Sequence, residues 1–134
     1  MDGFSSSKFT QALAPGTYAV ADAGPGTVID CIGFTHAVFL LDVGVSGGTY
    51  TFQIEEDDII GHGSPADVAG ATIAVTADSD NTTSVVTCDL KKRQRFLRVK
   101  DNAVAAGTIG MSVVCVLTNA ANSIKLATVP TVSV

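Results

Sequence analysis

The chain has no tryptophan and only two tyrosines, Tyr18 and Tyr50. Carbohydrate-binding β domains usually expose several aromatic faces, so this poverty counts against a sugar-binding module. Leucine, glutamate and lysine, the residues that fill helices, are scarce. Valine, alanine, threonine and glycine dominate instead, and Val and Thr branch at Cβ, which suits a pleated, half-buried strand. Histidine occurs twice, at His36 and His62, and there is no nucleophile elbow, phosphate-binding loop or zinc-binding helix. The common catalytic constellations lack their parts, and the chain reads as a non-enzyme with no catalytic residues. No segment approaches the roughly 18 apolar residues of a spanning helix. The opening MDGFSSSKFTQALAPG has no basic start followed by an apolar stretch, so it does not read as a secretory signal.

Cysteine is also sparse. Cys31, Cys88 and Cys115 each sit inside an apolar or β-branched run with no CxxC or ligand spacing. Such residues read as small buried hydrophobes in a reducing compartment rather than as a disulfide or metal set.

A chain of 134 residues suffices for one domain that removes roughly two-thirds of its unfolded surface from water. Residues 1–16 are Ser-rich, weakly patterned and closed by Pro15-Gly16, which predicts an N-terminal arm. Residues 17–118 read as the folded domain. Residues 119–134 hold one charge, Lys125, and one proline, Pro130, and read as an extended tail. Within the domain, strands are expected over 17–22, 27–32, 34–43, 49–55, 66–77, 82–90, 93–100 and 109–117. Turn signals such as Gly24-Pro25-Gly26 recur every 8–12 residues or so. The fold class is therefore all-β, an antiparallel β-sandwich or jelly roll of about eight strands with extended terminal arms. Segment 66–71 is Ala-rich enough to make one helical turn instead.

The clearest periodicity is in Thr49–Glu55, where Tyr50, Phe52 and Ile54 point one way and Thr49, Thr51, Gln53 and Glu55 the other. In 93–100, Leu97 and Val99 are expected inward, with Arg98 and Lys100 outward. Ile109, Met111, Val113, Cys115 and Leu117 share a face. The run Ala37–Leu41 is apolar on both faces, as in a central strand.

Net charge is −5 and the isoelectric point near 4.6, so the overall field favours neither nucleic acid nor an anionic membrane. The charges are segregated. Six of the eight cations lie between Lys91 and Lys100, and four acids run from Glu55 to Asp58. His36 within an apolar strand reads as a structural residue. His62, in Gly61-His62-Gly63-Ser64, reads as part of a mobile loop, and nothing sets triad geometry around His62 and Ser64. The acids at 55–58 and Asp78-Ser79-Asp80-Asn81 offer oxygen ligands for calcium, but the second lacks the turn glycine and distal glutamate of a calcium loop. Both read better as solvated turns, so no metal or cofactor is expected. The basic run carries a single aromatic, Phe96, too few for a stacking platform. Its cations are expected to pair with acids from a neighbouring strand, a sister subunit or an acidic shell. The candidate interface residues are Arg93, Arg95, Arg98, Lys100, Glu55 and Glu56.

Three segments together resemble a family of small head proteins of tailed bacteriophages. They are Val28-Ile29-Asp30-Cys31-Ile32-Gly33-Phe34 with the apolar run to Val43-Gly44; Gly48-Thr49-Tyr50-Thr51-Phe52-Gln53-Ile54 followed by the acids at 55–58; and Lys92 to Lys100 leading into Gly110–Leu117. The resemblance spans roughly residues 27–118, and it is the order and spacing of the segments that distinguish it. The 59–77 connection and the longer C-terminal tail depart from the family pattern.

The resemblance implies a β-sandwich capsid decoration, or cement, protein. Its partners would be the major capsid protein and other copies of itself, commonly as a homotrimer. It would sit on the virion's capsid surface after assembly in the host cytoplasm, with no nucleic acid, membrane or small-molecule substrate. The rival expectations are a neck, tail or head-fibre component of the same virion, and a carbohydrate-binding β-sandwich.

Overall fold

The computed structural model describes residues 7–19, 26–76, 80–101, 107–119 and 131–134. They form β1 (Lys8–Ala19), β2 (Ile29–Asp30), β3 (His36–Ser46), β4 (Tyr50–Asp57), β5 (Ala66–Val75), β6 (Thr82–Asp89), β7 (Phe96–Asp101), β8 (Thr108–Thr118) and β9 (Thr131–Ser133). The described residues contain no α-helix, only a 3-10 turn at Leu90–Lys92.

One sheet runs β1-β8-β3-β6-β9 and the other β2-β7-β4-β5. Among the first eight strands, each pairs with the one equally far from the other end of the series. β1 pairs with β8, β2 with β7, β3 with β6 and β4 with β5, all antiparallel. The β3–β8 and β4–β7 ladders then join these pairs edge to edge. A long antiparallel ribbon rolled into two facing sheets produces this order, which is that of a jelly roll. β9 is an addition, running parallel to β6.

Period-two burial builds the core. Tyr50, Phe52 and Ile54 of β4 and Leu97 and Val99 of β7 face Phe39, Leu41 and Val43 of β3. The β8 row Ile109, Met111, Val113, Cys115 and Leu117 completes the layer. Burying each large side chain contributes about 1.5–3 kcal/mol, and a one-residue slip would expose a whole row. Val38, Val85 and Val116 form a second buried cluster on the other face of the central strands, and β3 lies between β8 and β6, the central position its apolar run suggested. All three cysteines are free and buried. Burial pushes the thiols of Cys31 and Cys88 up to about 12, and that of Cys115 well above its ordinary value.

The ends of the chain differ from expectation. Residues 8–16, assigned to an arm, are the first part of β1. Ala12 and Leu13 are buried in the core, and the ladder to β8 shifts register between Gln11 and Leu13 and again between Leu13 and Gly16. These irregularities break the alternation and hide the strand. At the other end, Thr131–Ser133 of the expected tail is β9, and Val134 exchanges backbone bonds with Thr87 and Asp89. The remainder of the arm (1–6), the end of the first expected strand (20–22) and most of the tail (120–130) lie outside the described residues. Segment 66–71 is strand rather than helical turn. Residues 93–95 precede β7 instead of belonging to it, because the Asp89 carboxylate accepts the Lys91 N–H and starts the 3-10 turn.

Gly26 sits where the chain passes between the sheets. Its N–H bonds to Val99 O of β7 (3.3 Å), and the next N–H, of Thr27, bonds to Ala12 O of β1 (2.9 Å).

Candidate interface

The acidic and basic runs identified in the sequence meet on the outer face of the four-stranded sheet. Glu55 stands opposite Arg98 on one side and Asp67 on the other, and Gln53 stands opposite Lys100. Arg98 Nε donates to Glu55 Oε1 at 2.6 Å, and its Nη2 reaches the same oxygen. Lys100 Nζ lies 3.6 Å from Glu55 Oε2 and 2.6 Å from Asp67 Oδ1, and the Asp67 bond raises the lysine's pKa. The Gln53 amide donates to Val68 O at 3.0 Å, tying β4 to the irregular part of β5.

Glu55 is 2 % exposed, and Asp57 is buried as well. The expectation of a solvated acidic turn at 55–58 is therefore corrected. Glu55, Glu56 and Asp57 are residues of β4, and a carboxylate this far from water needs cations and N–H donors around it. Two cations, Arg98 and Lys100, flank Glu55. Asp57 accepts the N–H of Ile59 and of Ser64, both at 3.0 Å. These backbone donors, Ile59 first, hold its carboxyl below the usual range. They also fold the 58–65 loop back over the sheet.

The same loop buries His62, which the sequence had suggested was mobile. Its backbone is left-handed (φ 51°), its side chain is fully removed from solvent, and Nε2 lies 3.7 Å from Glu55 Oε1. Neither ring nitrogen has a hydrogen-bond partner. Ser64 meets the acid through its backbone N–H, not its hydroxyl. The ring is thus sealed beside a carboxylate held by Arg98 and Lys100.

The other sequence candidates lie apart from this ladder. His36 is half-buried, with Nδ1 2.9 Å from Thr35 Oγ1. Asp80 Oδ1 accepts the Ser46 N–H at 2.7 Å, and the N–H of left-handed Asn81 (φ 55°) donates to Gly44 O, so the described part of this turn is tied to the 44–46 segment. Residues 77–79 lie outside the described residues.

At the end of the sandwich, Arg95 grips Asp30 with two parallel bonds, Nε to Oδ1 at 2.9 Å and Nη2 to Oδ2 at 2.8 Å. Its guanidinium also lies 5.0 Å from the centre of the Phe96 ring. Arg95 is the main reason that the Asp30 carboxyl is held down at about 2. Glu56 accepts the Gln94 N–H at 3.0 Å and has Arg93 Nη1 at 3.5 Å.

Of the three sources considered for acids, Arg95, Arg98 and Lys100 use neighbouring strands of their own chain. The six sequence candidates thus separate into two groups. Glu55, Arg98 and Lys100 form a largely internal ladder, while Glu56, Arg93 and Arg95 lie at one end of the molecule. The sequence reading missed Asp30 and Asp67 as partners, although a lone Asp between Ile29 and Cys31 was a usable signal.

No family model matches the chain, and no curated protein matches it. The fold has likenesses among solved structures. One is the PBSX exported protein XepA, at 11% identity and a TM-score of 0.48, covering 94% of this chain and 41% of that one. The chain thus spans about two-fifths of that protein's length. Another is the coat protein of Tobacco streak virus, at 12% identity and a TM-score of 0.38, covering 92% of this chain and 94% of that one.

Proposed function

We propose that the chain is a structural protein of a tailed-phage virion, and specifically a decoration protein that binds the outer surface of the coat shell and stabilises the head. The observation that carries this reading is how the three resembling segments assemble. They contribute β2, β7 and β4, hydrogen-bonded in that order in one sheet, and β3 and β8, which are neighbours in the other. The segments' charges also close on one another, as Asp30–Arg95, Glu56–Arg93 and Glu55–Arg98. Residues far apart in sequence but joined in one surface are what a shared fold and role require.

The reading is non-enzymatic because the carboxylates of Asp30, Glu55 and Asp57 are engaged by cations and backbone donors of the same chain, and the His62 side chain is sealed from solvent. A jelly roll alone does not choose a role, since shells and lectins both use it. Against a lectin, Tyr50 is buried in the core. The partners in this reading are the major capsid protein and other copies of the chain, with no nucleic acid, membrane or small-molecule substrate, and the location is the capsid surface.

The test is addition of purified protein to expanded shells that lack it. Stoichiometric uptake with a raised shell melting temperature is expected, and no uptake would remove the decoration role.

A further inference from the structure

Large apolar side chains left in water cluster at one end of the four-stranded sheet. Asp30 of β2 stands opposite Phe96 of β7, which in turn stands opposite Asp57 of β4. β2 and β4 both run antiparallel to β7. They therefore leave the sheet at the same end, two strand spacings or about 10 Å apart. Two residues on, each strand is followed by isoleucine, Ile32 after β2 and Ile59 with Ile60 after β4. These side chains are 61%, 66% and 69% exposed. They are three of the six large apolar side chains exposed among the described residues. Such residues scattered singly are ordinary, but a group at one end of a molecule marks a contact surface.

The isoleucines are held out on fixed backbone. Asp30 Oδ1 accepts the Ile32 N–H at 3.1 Å, and Asp57 Oδ1 accepts the Ile59 N–H at 3.0 Å. His62, whose ring is buried, donates its backbone N–H to Ile59 O at 2.9 Å. A contact built on such groups forfeits little conformational entropy when it forms. Ile32 also lines an open depression of about 290 Å³, together with Phe34, Leu90 and Arg93. One end thus carries both an apolar knob and a hollow. Its charges balance. Asp30, Glu56, Asp57, Asp58 and Asp89 stand against Lys8, Lys91, Lys92, Arg93 and Arg95 among the described residues. Arg95 faces Asp30, Arg93 faces Glu56, and Asp57 is engaged by backbone donors. Asp58, Lys91 and Lys92 are exposed at the rim, so both signs of charge are presented there.

We propose that this end binds the same end of a second copy of the chain. A face that holds a knob, a hollow and both signs of charge complements itself, whereas a partner of one sign gains nothing from its balanced field. Ile59 and Ile60 of one copy enter the hollow of the next, beside the partner's Ile32. Asp58 meets the partner's Lys91 and Lys92. Taking the isoleucines out of water supplies the affinity, and the rim charges fix the orientation. Symmetry repeats each contact in the assembly. The inference rests on the proposed function for the expectation of self-contact, and adds to it the face and its chemistry.

The test is sedimentation equilibrium of the purified chain alone over a range of concentrations. Wild type is expected to self-associate, and Ile59→Ser with Ile60→Ser to weaken that roughly tenfold or more. Val45→Ser, at an exposed site toward the far end of β3, is expected to leave it unchanged. Asp58→Lys is expected to weaken association, as is Lys91→Asp with Lys92→Asp, and the three changes together are expected to restore it. All these sites are on the surface, and circular dichroism with thermal melting checks that each variant is folded. A wild type that stays monomeric overturns the inference, and so does equal association of the isoleucine variant. Failure of the combined charge swap to restore association overturns the pairing of this end with itself. A monomeric wild type whose uptake by expanded shells falls in the isoleucine variant would make the occupant the coat subunit, again against the inference. Because shells are absent from the main measurement, its failure leaves the decoration reading standing, and failed shell uptake leaves the self-contact standing.

Discussion

A buried carboxylate is stable only with its charge answered, and Glu55 is the clearest case in this protein. Arg98 and Lys100, both partly exposed, are its counter-ions. Replacing Glu55 by Ala leaves the two cations facing each other across a dry gap. The expected loss is about 3 kcal/mol in urea unfolding. Asp67→Ala removes a far more exposed partner of Lys100 and is expected to cost under about 1 kcal/mol. Equal losses would contradict this assignment of roles.

Asp57 gives a pH prediction. Its carboxyl is depressed in the folded state, so its stabilising effect is present above the ordinary carboxylate range and is lost as pH falls through the depressed value. Hydrogen exchange at the Ile59 and Ser64 amides is therefore expected to show the 58–65 loop loosening below about pH 4, ahead of the sheet. Asp57→Asn is expected to show that loosening already at neutral pH. Acid exchange identical to the neutral profile would sink the latch.

At the level of elements, legibility followed regularity. β4, β7 and β8 alternate cleanly, and their inward rows match the buried rows residue for residue. β1 escaped notice because two register shifts interrupt its period, and β9 because a three-residue strand carries too little pattern. The acidic run misled for a different reason. Clustered acids usually mark a wet turn, and only the facing register of β7 makes them strand residues. His62 was misread because burial by a loop leaves no periodic trace. The charged ladder was half visible, since the cations were recognised as strand residues in need of acids while Asp30 and Asp67 required the sheet order to be known.

Gly26 ties the two sheets together and supplies an element-scale prediction. A Cβ there would lie 2.6 Å from Val99 O and 3.0 Å from Ala12 O, both rigid backbone atoms. Gly26→Ala is expected to destabilise by about 1–3 kcal/mol through overpacking, with β1 the first strand to lose exchange protection. A neutral substitution would show that the crossing point has slack.

For the molecule as a whole, three thiols sealed in one core make a reporter of global opening. Native protein is expected to resist a thiol reagent until denaturant unfolds it, with all three cysteines reacting together. Early reaction at any one would reveal a separately opening region. In the proposed role, a rigid jelly roll would work by adhesion repeated many times over a shell. Counting copies by quantitative mass spectrometry of purified virions tests that most directly. Hundreds of copies per particle are what the account predicts; absence from the particle would contradict it, and about a dozen would move the protein to a neck or portal ring.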